Sequence, residues 1–146
     1  MYIESGSQPI FDKLKKEDYL IGTSDDQICE KLAYYLAEIN VIHPFREGNG
    51  RAQRVFIESL AQVAGYRVNF TDVSAQEMIK ASVLSFDCDY QKTESIFERI
   101  TAPISCEEQE IYIKKIALPG SDFFDLYRSL TTAEPELNEK PEMKFE

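Results

Sequence analysis

An all-α fold is what this sequence predicts. Apolar residues recur mainly at helical spacing, three Ser-led capping boxes stand ahead of apolar runs, and strict apolar–polar alternation is confined to one short stretch. With 146 residues, 43% of them apolar, and aromatics drawn only from Phe and Tyr, the chain is large enough to bury a core and is read as one compact domain.

Taken in order, Ser24-Asp-Asp-Gln27 is a capping box. Ile28, Leu32, Tyr35, Leu36 and Ile39 follow it at helical spacing, which predicts a helix ending near Asn40 and delivering the chain to His43. From Gly50, the pattern Val55, Phe56, Leu60, Val63 and Ala64 predicts a buried helix with Gly65 as its C′ residue. Tyr66 to Phe70 alternates and reads as a brief extended connection. Ser74-Ala-Gln-Glu77 and Ser105-Cys-Glu-Glu108 open two further helices, and Ile96, Phe97 and Ile100 share a face of another between Asp89 and Ile100. Leu118-Pro-Gly closes the helix begun at Ser105, and a short helix spans Phe123 to Leu130. Beyond Ala133, Glu and Lys with Pro135 and Pro141 leave little to bury. The expected organisation is a domain over 1–130 and an acidic, disordered tail over 131–146.

A net charge of −10 argues against a nucleic-acid groove or an anionic membrane surface, either of which needs clustered Lys and Arg. Neither a signal segment nor a membrane-spanning run is present in the sequence, so cytoplasm is the expected location. Cys29, Cys88 and Cys106 are odd in number and lack a Cys-x-x-Cys pairing, so reduced, mostly buried thiols are expected rather than disulfides or a zinc site.

The chemistry concentrates in His43-Pro44-Phe45-Arg46-Glu47-Gly48-Asn49-Gly50-Arg51, followed by Arg54. A Gly-Asn-Gly turn can take positive φ, so its successive N–H groups can converge on an anion. A helix beginning there points its first-turn N–H groups and positive dipole end at the same anion. Arg51 and Arg54 share one face of that turn, where cations oppose the dipole unless something negative lies between them, and a polyphosphate supplies that charge. Glu47 among phosphate binders would repel the ligand unless it held a divalent cation, with Mg²⁺ the natural choice. His43, the only histidine, titrates near neutrality and suits a general base. Taken singly, each of these residues is an ordinary loop or surface side chain; together they form the parts of a phosphate site. Phe45 reads as a structural anchor, and Tyr34, Tyr35 and Phe56 as core packing.

His43 through Arg54 resembles the signature of the Fic family, a His-x-Phe-x-(Asp/Glu)-Gly-Asn-Gly-Arg-x-x-Arg loop and helix. The run Leu-Ala-Tyr-Tyr-Leu-Ala-Glu-Ile-Asn before it and Ala-Gly-Tyr after the next helix extend the likeness over roughly Tyr2 to Ile100. The resemblance implies a Fic-type helical bundle and transfer of AMP from ATP to a Ser, Thr or Tyr hydroxyl of a target protein, releasing pyrophosphate. It implies His43 as base, Glu47 as holder of Mg²⁺, Gly48, Asn49 and Gly50 as the phosphate cradle, and Arg51 and Arg54 as partners of the β- and γ-phosphates. Among relatives of the toxin-like bacterial kind, targets include type II topoisomerases. Family members dock targets on a β-hairpin flap, which Met1 to Gln8 cannot supply, so the flap is expected to be lacking. Many are silenced by a helix bearing (Ser/Thr)-x-x-x-Glu-(Gly/Asn). The nearest stretch, Thr132 to Leu137, lacks the last residue and contains Pro135, so restraint is expected from a separate antitoxin-like protein or from N-terminal sequence. Transfer of another phosphate-containing group, removal of AMP, and a non-catalytic nucleotide-binding module are the alternatives.

Overall fold

A computed structural model describes residues 2–42, 49–117 and 123–131 of the chain. Within these, helices dominate: α1 (Tyr2–Lys16), α2 (Asp25–Ile42), α3 (Asn49–Ala64), α4 (Ala75–Phe86), α5 (Gln91–Ile100), α6 (Cys106–Ile116) and α7 (123–131). Residues 132–146 of the predicted disordered tail and the Leu118-Pro-Gly stop lie outside the described residues, while Thr131, placed at the head of that tail, is the last residue of α7. α1, with Pro9 in its interior, is not among the elements that periodicity predicts.

α2 and α3 form the centre. Ile28, Leu32, Tyr35 and Leu36 from α2 pack with Ile57, Leu60, Ala61 and Ala64 from α3, and Leu14, Leu20, Tyr66, Val68 and Phe97 complete the main core. α2 also packs against α1, α4 and α5, while α3 packs against α6. A second cluster of Ile21, Val63, Ile113 and Tyr127 fastens α6 and α7 to the opposite side of α3. Val55, placed on the apolar face by periodicity, is instead 59% exposed, and Ile57 is fully buried. Leu60, Val63 and Ala64 are buried and Phe56 is half-buried, as periodicity predicts; the departures are the exposed Val55 and the inclusion of Gln53, Ile57 and Ala61 in the buried face.

The expected extended connection becomes β1 (Tyr66–Val68), which pairs antiparallel with β2 (Thr101–Pro103) in the register Tyr66 to Pro103 and Val68 to Thr101. Gly65 ends α3 as predicted, with φ +104. At Ser74 the capping box closes fully; at Ser105 the hydroxyl accepts from the Glu108 N–H, while the Glu108 carboxylate is drawn off by Arg67 of β1 at 2.6 Å. Between α1 and α2, Asp18, Tyr19 and Leu20 all have φ between 54 and 66, left-handed backbone that costs about 1–2 kcal/mol per residue. Leu20, 1% exposed, supplies the burial that offsets part of it.

The cysteines correct the expectation of buried thiols: Cys29 is half-buried, but Cys88 and Cys106 are exposed. Both sit where a helix end turns to solvent. Cys88 has φ 61 and its N–H bonds the Ser85 carbonyl while that of Asp89 bonds Leu84, the pattern of a Schellman stop after α4. Cys106 is the first residue of α6, outside the packed turns.

Candidate active site

The last turn of α2 and the first turns of α3 bracket residues 43–48. His43, Glu47 and Gly48 therefore lie outside the described residues, as does the side chain of Asn49, the residue that opens α3. Gly50, Arg51 and Arg54 are described. Gly50 lies within α3 and is not among the described residues with positive φ, so the left-handed turn anticipated for the glycines does not apply to it. Its use is proximity: a Cβ built there would stand 3.2 Å from Arg54 Nη1. The missing side chain lets the Arg54 guanidinium fold back over the first turn, beside N–H groups that have no helical acceptor.

The electrostatics are inverted relative to an ordinary helix start. The first turn of α3 holds no acidic residue, and both arginines lie within its first six residues, adding positive charge to the positive dipole end. An anion at this turn is the arrangement that relieves the excess. Gly50 and Arg54 together line a cavity of about 340 Å³, with Leu36 and Asn40 of α2 and Gln53 of α3 as neighbours and Met78, Ile79, Val83 and Phe86 of α4 as an apolar wall. Arg51 is exposed, and of the two arginines Arg54 is the one among the described residues that line this cavity.

Sequence reasoning misses the α4 wall and a bond across the mouth of the 43–48 segment: Gln53 Nε2 donates to Asn40 Oδ1 at 3.0 Å. Its signal is a polar residue at the head of an apolar helical stripe. Among the described residues, no group of three or more His, Cys, Asp or Glu side chains is arranged to hold a metal. A Mg²⁺ held by one carboxylate and substrate phosphates needs no such group, so Glu47 as a single donor fits this ion chemically. A larger apolar groove of about 740 Å³ runs between α4 and α5 past Ile79, Val83 and Leu84. Its one carboxylate, Glu77, is bound to Arg99 at 3.1 Å, and none of the candidate residues lines it, so size does not locate the chemistry.

Residues 4–61 match the model of the Fic/DOC family. The chain is 43% identical over 84 residues to the protein adenylyltransferase VbhT of Bartonella schoenbuchensis, covering 58% of this chain and 18% of the relative. It is 37% identical over 98 residues to the probable protein adenylyltransferase Fic of Salmonella typhimurium, covering 67% and 49%. The chain thus spans half or less of the length of these curated relatives. Among solved structures it is similar to the BepC protein of Bartonella tribocorum with bound AMPPNP, at 32% identity and a TM-score of 0.67, covering 70% of this chain and 50% of that one. A Fic domain of Bartonella quintana with bound ADP gives 31% identity and a TM-score of 0.68, with 70% and 49% covered.

Proposed function

We propose that this chain, whose residues 4–61 match the Fic/DOC family, is a protein adenylyltransferase, moving AMP from ATP to a Ser, Thr or Tyr hydroxyl of a target protein. The observation that carries the reading is the Arg54 guanidinium folded over Gly50 at an acid-free helix start, beside a cavity of about 340 Å³. That combination suits a polyphosphate tail with an apolar-walled hollow next to it.

In this reading His43 takes the proton of the target hydroxyl, whose oxygen attacks the α-phosphorus in line. The bond to the β-phosphate bridging oxygen breaks, and pyrophosphate leaves with that electron pair. Gly48, Asn49 and Gly50 offer backbone N–H groups to the phosphates, and Arg51 and Arg54 pair with the β- and γ-phosphates. Glu47 would hold Mg²⁺, which supplies charge neutralisation at the phosphate oxygens when bound. Positioning and neutralisation of charge are the usual sources of acceleration in such transfers. The catalytic unit is taken to run to residue 130, a reading supported by Tyr127 of α7, which packs with Val63 of α3.

The target is a protein, with a type II topoisomerase subunit as the first to try, and a small antitoxin-like protein is the proposed inhibitor. The site of action is the cytoplasm; among the described residues no helix is long and apolar enough to cross a membrane. Incubation with α-³²P-ATP and Mg²⁺ is expected to label a target, with intact mass rising by one AMP, and His43→Ala is expected to abolish the label while leaving the helical circular dichroism unchanged. Undiminished labelling by that variant refutes the assignment of the base, and a different mass increment refutes the group transferred.

A further inference from the structure

We propose that the Asn40–Gln53 amide bond is a clasp that sets the spacing between the two ends of the 43–48 segment, and so acts as a positioning device for the transfer. The inference rests on the adenylyltransferase reading given above. Asn40 lies in the last turn of α2, three residues before His43, and Gln53 lies on α3 between Arg51 and Arg54. Their 3.0 Å bond is therefore a direct link between the helix that ends at the base and the helix that begins at the phosphate cradle. Gln53 is 7% exposed and heads the stripe Ile57, Leu60, Ala61 and Ala64, a register position that an apolar residue would fill at no hydrogen-bonding cost. An amide kept there is held by its partner, and a buried amide stripped of that partner is left unsatisfied. Packing along the rest of the stripe holds α3 against α2, and the amide pair ties their relative height at the end nearest residues 43–48. A misplacement of about 1 Å between base and reacting phosphorus is enough to cost on the order of a hundredfold in rate.

The test uses Gln53→Leu, Asn40→Ala and the exchanged pair Asn40→Gln with Gln53→Asn, which restores an amide bond of the same total side-chain length. For each, ATP·Mg²⁺ affinity is measured by calorimetry, the initial labelling rate is taken at saturating ATP, and deuterium uptake is followed in the peptide covering 43–48. The single variants are expected to lose labelling rate at saturating ATP by about tenfold or more, a loss read separately from any change in the ATP dissociation constant because both residues line the cavity. They should exchange 43–48 faster, and the exchanged pair should recover both readouts. Rate and affinity lost together without recovery in the exchanged pair, or no change in rate or uptake, overturns the clasp. If the unaltered chain binds ATP but labels nothing, the transferase reading fails; deuterium uptake then decides alone, faster exchange in Gln53→Leu with recovery in the exchanged pair supporting the clasp and unchanged exchange overturning it.

Discussion

At the scale of single residues, the fold spends its polar groups where two helices must be held at a fixed offset. Glu17, just past α1, accepts hydrogen bonds from the Lys31 ammonium at 2.6 Å and from the Tyr35 hydroxyl, both on α2. Burial alone would raise its carboxyl, but the bonds from Lys31 and Tyr35 outweigh burial and hold it below the ordinary carboxylate range. Burial first, and then the Glu17 carboxylate, push the Tyr35 hydroxyl far above the usual phenol range, so it remains a neutral donor. A carboxyl held low in the folded state contributes stability that is present above its unfolded pKa and is lost as pH falls through its folded value. Glu17→Gln is accordingly expected to cost about 1 kcal/mol at pH 7, discounted for the partial exposure of the pair. In urea melts the gap between variant and parent should narrow as pH is lowered below the ordinary carboxylate range. A gap independent of pH would show that the charge on Glu17 contributes nothing.

At the scale of elements, Gly65 links three of them. It ends α3 at φ +104, precedes β1, and a Cβ there would stand 3.4 Å from the amide of Gln109 on α6, whose Nε2 donates to the Val63 carbonyl at 2.7 Å. Gly65→Ala is expected to destabilise by about 1–2 kcal/mol, since the left-handed backbone at φ +104 penalises a Cβ even where the contact with Gln109 is an ordinary one. Chemical denaturation measures it, and a stabilised Gly65→Ala would refute the argument. This stop is legible in the sequence because it is local chemistry, as are the serine caps of α4 and α6 and the motif that carries Gly50 and Arg54. β2 is not legible: Thr101–Pro103 is three residues long, contains a proline, and is a strand only because β1 pairs with it from across the chain. The same holds for the left-handed turn at Asp18, Tyr19 and Leu20, which the burial of Leu20 supports and no local preference favours. At the site, the motif identifies donors of charge, whereas the α4 wall of Met78 and Val83 depends on how α4 crosses α2. The inward turn of Gln53 in place of Val55 is equally a matter of packing, because hydropathy ranks valine first for a buried position.

At the scale of the whole molecule, the two helices that flank the candidate site are also the two that fill the core, so a ligand bound at their junction is linked to the stability of the chain as a unit. Anything that binds only the folded state stabilises by RT ln(1 + [L]/Kd), about 2.7 kcal/mol at a hundredfold excess over Kd. For a domain of this size that corresponds to a rise of roughly 10 °C in Tm. The chain carries a net charge of −10, so a nucleotide polyanion bound at this turn would be held against the overall field, with the α3 dipole end and its arginines supplying local attraction. ATP with Mg²⁺ is therefore expected to raise Tm by several degrees, ATP with EDTA by less, and Arg54→Ala to lose most of the shift while its own Tm without nucleotide changes little. Arg51→Ala should lose less of it, because the exposed Arg51 side chain does not line the cavity that Gly50 and Arg54 share. Differential scanning fluorimetry and far-ultraviolet circular dichroism read the same transition if the helices melt together. A full nucleotide shift retained by Arg54→Ala would move the phosphates away from the first turn of α3 and, with them, the site of the chemistry.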